Sequence, residues 1–202
     1  PSPIALPRDG MKSVGLVWAG NPDHGNDRFR SLDLGPLLFL AGNPRARLVS
    51  LQKGPAAQGR IRLGAESLMI DAGERLYSFA DTAALLGILD LVITVDTAVA
   101  HLAAAMGKPT WILLPAAPDW RWGLTGETTA WYPSVRLFRQ ERLGDWSGPL
   151  AALRAATCMT FFKAPPGGFH SGGSLAERAA GASPVFQSCG RAEPCGAALT
   201  RG

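Results

Sequence analysis

Leu89-Asp-Leu-Val-Ile-Thr-Val95-Asp96-Thr97-Ala98-Val-Ala-His101-Leu102-Ala-Ala-Ala-Met106 reads as an apolar strand running straight into an Ala-rich helix. Leu89–Val95 is apolar almost throughout rather than alternating, the pattern of a strand covered on both faces. Thr97–Met106 carries helical spacing, with Asp96 as its candidate N-cap and Gly107-Lys-Pro109 as its stop. The same design repeats outward. Val14-Gly-Leu-Val-Trp18 stops at Ala-Gly-Asn-Pro, Arg47-Leu-Val-Ser-Leu51 at Gln-Lys-Gly-Pro, and Thr110-Trp-Ile-Leu-Leu114 at Pro-Ala-Ala-Pro. Val135–Phe138 and Ser67–Ile70 are weaker fifth and sixth runs. Helices are expected over Leu34–Ala41, Asp81–Leu89 (after a Ser78/Asp81 start signal) and Ser147–Ala156. Strands alternating with helices through short connections predict an α/β fold, a Rossmann-like parallel sheet of about six strands with helices on both faces.

Composition bounds the rest. The 202 residues are 47% hydrophobic and 18% charged, enough for one domain and too few for two large ones. No run approaches the ~18 consecutive apolar residues of a membrane span. Residues 1–11 have neither the basic flank nor the apolar core of a signal peptide and read as a terminal linker. A net charge of +4 is too weak to argue for nucleic acid. All six Trp lie before residue 147 and all three Cys after residue 157. The folded domain is therefore expected over 12–157. Residues 158–202, rich in Gly, Pro, Ala and Ser, are expected to form a low-complexity, disordered tail.

Open parallel sheets bind ligands beyond the carboxyl ends of their strands. The residues there are Asn21, Asn26, Arg28 and Arg30 after the first strand, Gln52 and Lys53 after the second, and Asp96, Thr97, Ala98 and His101 after the fourth. A helix that begins at the strand end directs free N–H groups and the positive end of its dipole into the cleft, which suits a phosphate or diphosphate. Thr97 and His101, four apart, share a face of that helix. Guanidinium groups on Arg28 and Arg30 suit phosphate oxygens. Asp119-Trp-Arg-Trp122 is either a sugar-lining cluster or a set of packing anchors. Neither a Gly-x-Gly-x-x-Gly turn nor a phosphate-binding P-loop is present, and no Gly-x-Ser-x-Gly elbow occurs. The sequence contains no Asp-x-Asp pair, and its histidines and cysteines have no metal-ligand spacing, so no metal and no cofactor is expected.

Val14–Pro22, Asn26–Ser31, Ser50–Gly54, Val95–Leu102 and Pro118–Trp122 through Trp131-Tyr-Pro133, taken in order, resemble bacterial tetratricopeptide-repeat glycosyltransferases. These are relatives of the ADP-heptose:lipopolysaccharide heptosyltransferases and, more distantly, of O-linked N-acetylglucosamine transferase. The resemblance covers about residues 12–156. It implies a cytoplasmic enzyme of two Rossmann-like lobes, of which this chain resembles the C-terminal, donor-binding one. The repeats and the acceptor-binding lobe, with its general base, are expected upstream. The family's Asp-Thr-Gly-x-x-His-Leu motif falls on Asp96, Thr97, Ala98, His101 and Leu102, with Ala98 replacing the Gly. By resemblance, Thr97 and the backbone hold the diphosphate, Asp96 contacts the sugar, Arg30 (or Arg28) meets the leaving phosphates, and Gln52 and Lys53 lie on the nucleoside side. Arg30, Asp96 and His101 are the implied catalytic supports, and Asn21 and Asn26 complete the donor-binding set. The implied reaction is metal-independent inverting hexosyl or heptosyl transfer. The partners are a nucleotide sugar and a protein or glycan acceptor, without nucleic acid. Two other readings stay open: an inactive fragment, and an unrelated α/β module whose basic edge binds another anion.

Overall fold

The computed structural model describes residues 4–7 and 9–162. Six strands, β1 (Lys12–Val17), β2 (Ala46–Ser50), β3 (Met69–Asp71), β4 (Leu91–Val95), β5 (Thr110–Leu114) and β6 (Val135–Arg139), form one sheet. The helices are α1 (Asp27–Arg30), α2 (Gly59–Arg62), α3 (Phe79–Ile88), α4 (Ala98–Ala105) and α5 (Ser147–Phe162). The strand order is β3-β2-β1-β4-β5-β6, with every pair parallel. This is the doubly wound order whose direction reverses between β1 and β4. The expected α/β class and strand number are therefore observed.

Strand residues alternate between two apolar layers. Val14, Leu16 and Trp18 join Leu91, Ile93, Val95, Trp111 and Leu113 beneath the Gly35–Gly42 segment and α5. Val17, Val49, Val92 and Leu51 pack on the other face with Leu85, Leu86 and Ala103 of α3 and α4. Each fully buried Leu or Ile contributes about 1.5–3 kcal/mol relative to exposure. The polar ends of the strands are thus held over a packed sheet.

Four local expectations are corrected. Residues 35–42 form a 3₁₀ helix rather than an α-helix. The residues that turn inward, Leu34, Leu37 and Leu40, repeat every three positions, the 3₁₀ period. The N-cap of α4 is Thr97, not Asp96, because Thr97 carries the extended backbone (φ −141°, ψ 169°) from which the helix starts. Ile4 is buried with Leu76, Leu85 and Leu86, so part of the 1–11 segment contributes to the core. Finally, α5 runs to Phe162 and buries Leu153, Ala156 and Thr157, so residues 158–162 continue a helix. The rest of the expected tail, 163–202, lies outside the described residues.

Candidate functional site

Two adjoining compartments open along the carboxyl ends of the central strands. One, of about 520 Å³, is lined by His24, Asn26, Arg30, Asp96, Thr97, Ala98, His101 and Asp119 among others. The other, of about 760 Å³, is lined by Asn21, Arg30, Gln52, Lys53, Thr97 and Ala98 together with apolar Val17, Leu51, Leu76 and Val99. Arg30, Thr97 and Ala98 line both. The cleft therefore lies at the β1/β4 reversal, where such sheets bind ligands. It gathers nine of the ten residues singled out from sequence. The tenth, Arg28, lines neither compartment, and its guanidinium sits 4.4 Å from the Phe29 ring centre.

Arg30 is built in. Its Nε donates to Asp27 Oδ1 at 3.1 Å, and its Nη1 donates to the Asp96 carbonyl at 3.0 Å. Asp27 Oδ1 also accepts from the Ser31 hydroxyl, which in turn accepts from the Gly20 N–H. This network ties the loop after β1 to the end of β4. Nη2 has no protein acceptor among the described residues and remains available to an anion. Glycine is required beside it, since a Cβ on residue 20 would lie 2.5 Å from Asp27 Oδ1 and 2.6 Å from Arg30 Nη2.

The start of α4 faces the same space. The Thr97 side chain makes no capping hydrogen bond. The Thr94 hydroxyl donates to the Val95 carbonyl and lies 3.1 Å from the Thr97 hydroxyl, so Thr97 donates in that pair. The first backbone N–H groups of α4 thus have no side-chain cap, and the dipole end favours an anion there.

His101 stacks on buried Trp122, with ring centres 4.7 Å apart and planes at 21°. Its Nδ1 lies 3.2 Å from the Tyr132 hydroxyl, and its Nε2 lies 3.8 Å from Asp96 Oδ1. Burial pushes the imidazole pKa down from its ordinary value, against the pull of Asp96, so the ring is neutral near pH 7. Asp119 caps the short 3₁₀ turn Trp120–Trp122 by accepting from the Arg121 N–H, and it pairs with the Arg121 guanidinium.

Gln52 lines the larger compartment and also ties backbone together. Its Oε1 accepts from the Trp18 and Ala19 N–H groups, both at 2.9 Å, and its Nε2 donates to the Ala19 and Lys53 carbonyls. All of these bonds run to backbone, so the buried side chain is a clamp on the ends of β1 and β2. Lys53 reaches across the larger compartment to the Leu76 carbonyl, and its charge also bears on Asp81 of α3. Asp27 and Tyr132 were not among the candidates. Asp27 was hidden in a loop rich in Asn, Asp and Gly. Tyr132 lies 31 residues from the histidine it meets.

Residues 76–140 match the profile of glycosyltransferase family 9 (heptosyltransferase). The match takes in β4, α4, β5 and β6, with Asp96, Thr97 and His101. Protein FlbA of Caulobacter vibrioides is 34% identical over 125 residues, which is 60% of this chain and 20% of that protein. The chain therefore spans about one fifth of that relative. Among solved structures, E. coli heptosyltransferase WaaC with ADP-2-deoxy-2-fluoro heptose superposes with a TM-score of 0.53 at 17% identity, covering 75% of this chain and 45% of that one. WaaC with ADP gives a TM-score of 0.56 at 18% identity over 75% and 45% of the two chains. E. coli ADP-heptose LPS heptosyltransferase II gives 0.53 at 16% identity over 75% and 48%. The chain thus has the fold of a part of these enzymes and spans less than half of each.

Among the described residues no helix is long and apolar enough to cross a membrane, and no group of three or more His, Cys, Asp or Glu side chains is placed to hold a metal.

Proposed function

We propose that this chain is the donor-binding lobe of a glycosyltransferase and that its cleft takes a nucleoside-diphosphate sugar. The observation that carries the reading is the convergence, at the β1/β4 reversal, of a pinned Arg30 with an open Nη2, the uncapped start of α4, and His101 beside Asp96. The match of residues 76–140 to glycosyltransferase family 9 and the fold shared with part of the heptosyltransferases support the same reading. Of those neighbours, WaaC was solved both with ADP and with ADP-2-deoxy-2-fluoro heptose.

In the proposed reaction an acceptor hydroxyl attacks the anomeric carbon, configuration inverts, and the nucleoside diphosphate leaves. The larger compartment, with its apolar lining and Lys53, takes the nucleoside. The smaller one, with Asp96, His24 and Asn26, takes the sugar. Arg30 and the α4 N–H groups meet the charge that develops on the leaving phosphates, in fixed positions that cost no reorganisation during reaction. No divalent ion is required in this scheme, in keeping with a sequence that has no Asp-x-Asp pair. The acceptor lobe, its general base and the tetratricopeptide repeats belong to a longer protein in this proposal, as does a cytoplasmic setting.

Titration of the 202-residue chain with ADP-, UDP- and GDP-sugars tests it. Binding is expected, with Arg30→Ala and His101→Ala each raising Kd about tenfold or more, the scale of a lost charge-assisted or cleft-facing hydrogen bond. Transfer to acceptor by this chain alone is expected to be negligible. Nucleotide binding unchanged in both variants overturns the site, and robust turnover overturns the division of labour between lobes.

A further inference from the structure

The contact between His101 and Tyr132 permits two arrangements, because a phenol hydroxyl both donates and accepts. If Tyr132 accepts from Nδ1–H, then Nε2 directs a lone pair at the Asp96 carboxylate 3.8 Å away. If Tyr132 donates to Nδ1, then Nε2 carries the proton and presents its positive end to Asp96. Electrostatics favours the second. The doubly protonated ring is disfavoured by burial, which outweighs the attraction of Asp96 and Asp119 and adds to the repulsion of Arg121. These three charged groups, from the end of β4 and the loop after β5, are the ones that bear on the ring. Its plane is held by Trp122 on one face and by the Tyr132 ring, 5.8 Å away and at 61°, on an edge.

We propose that Tyr132 is a positioning residue of the cleft: its hydroxyl donates to His101 Nδ1 and holds His101 as the Nε2–H tautomer, so that a neutral N–H donor faces Asp96 and the phosphate end of the site. The tautomer rests on the two contacts of the ring and on the charge of Asp96, and its use rests on the donor-site reading above. A neutral donor serves a leaving diphosphate without the cost of burying a further charge.

A long-range ¹H–¹⁵N spectrum of the ¹⁵N-labelled 202-residue chain shows which imidazole nitrogen holds the proton, with His101 assigned from the His101→Gln variant. At neutral pH the wild type is expected to show Nε2–H. Tyr132→Phe keeps the aromatic ring and removes only the donor, so the Nδ1 resonance should shift and the share of the Nδ1–H form should rise against the pull of Asp96. ADP or UDP should then bind about threefold to tenfold more weakly, the size of one ordinary hydrogen bond. On the His101→Gln background the same change should cost nothing further, which a merely structural tyrosine would not predict. A wild-type proton on Nδ1, or a Tyr132→Phe spectrum identical to wild type, overturns the proposal. A wild type that shows Nε2–H but binds no nucleoside diphosphate overturns the donor-site reading instead and leaves the tautomer in place.

Discussion

Gly20 shows how much of this cleft is decided by single atoms. The two contacts that a Cβ there would make are with the Asp27 carboxylate and the far end of Arg30. Both groups belong to one hydrogen-bonded network, so Gly20→Ala should fold with a modest loss of melting temperature as that network shifts. Arg30 must then leave its position, and nucleotide affinity should fall about as far as in Arg30→Ala. Calorimetric titration beside a thermal melt separates the two effects. If affinity is retained, Arg30 is not the anion ligand. His101 supplies a second test, through pH. Burial lowers its pKa in the folded chain, so between the unfolded value of about 6.5 and the lower folded one the unfolded chain binds more protons. Stability therefore falls as pH drops through that window, and His101 adds no slope above it. Denaturant titrations at several pH values should show a shallower decline there for His101→Gln. An unaltered slope would contradict the shift.

Helix starts divide into those that serve the fold and those left open to the cleft. Ser78 accepts from the Asp81 N–H while Asp81 accepts from the Ser78 N–H, a reciprocal cap at the start of α3. Ser78→Ala should cost about 1 kcal/mol, read as a drop of about 2–4 °C in melting temperature. Thr97→Ala removes no cap from α4 and should leave the melt nearly unchanged while weakening nucleotide binding. The reverse pattern would make Thr97 structural. Gln52 acts between elements, and Gln52→Ala leaves the Trp18 and Ala19 N–H groups without their acceptor. About 2–4 kcal/mol of stability should go with it, the cost of orphaning buried polar groups, measured as a shift in the denaturant midpoint. The contrast explains what a linear reading reaches. The Ser-x-x-Asp spacing is local, so the start of α3 was legible, and the apolar runs made every strand legible. Gln52 read as a ligand because its position at a strand end was visible. Its four backbone partners come from the residues just after β1 and from its own loop once the sheet is paired, and no spacing encodes that. The 3₁₀ segment failed for a related reason: Leu34, Leu37, Leu38 and Ala41 fit a helical stripe, whereas burial selected Leu34, Leu37 and Leu40.

At the scale of the whole molecule, the cleft depends on both sheet faces being covered, and α5 covers part of one. Leu153 and Ala156 pack into the cluster that holds Val14, Leu48, Trp111 and Phe138. Val14 belongs to β1, which bears the Arg30 loop at its carboxyl end, so α5 supports the site from beneath without touching it. A chain ending at Trp146 would expose this layer, and the loss of several buried apolar side chains at about 1.5–3 kcal/mol each is comparable with a domain's whole stability of about 5–15 kcal/mol. It should show no cooperative unfolding transition. A chain ending at Phe162 retains every core residue named for the two apolar layers. Its melting temperature and ADP affinity should match those of the 202-residue chain. Melts and titrations of the two truncations side by side decide the matter: if the longer one also fails to unfold cooperatively, the folding unit is larger than the one that positions Arg30, Asp96 and His101 here.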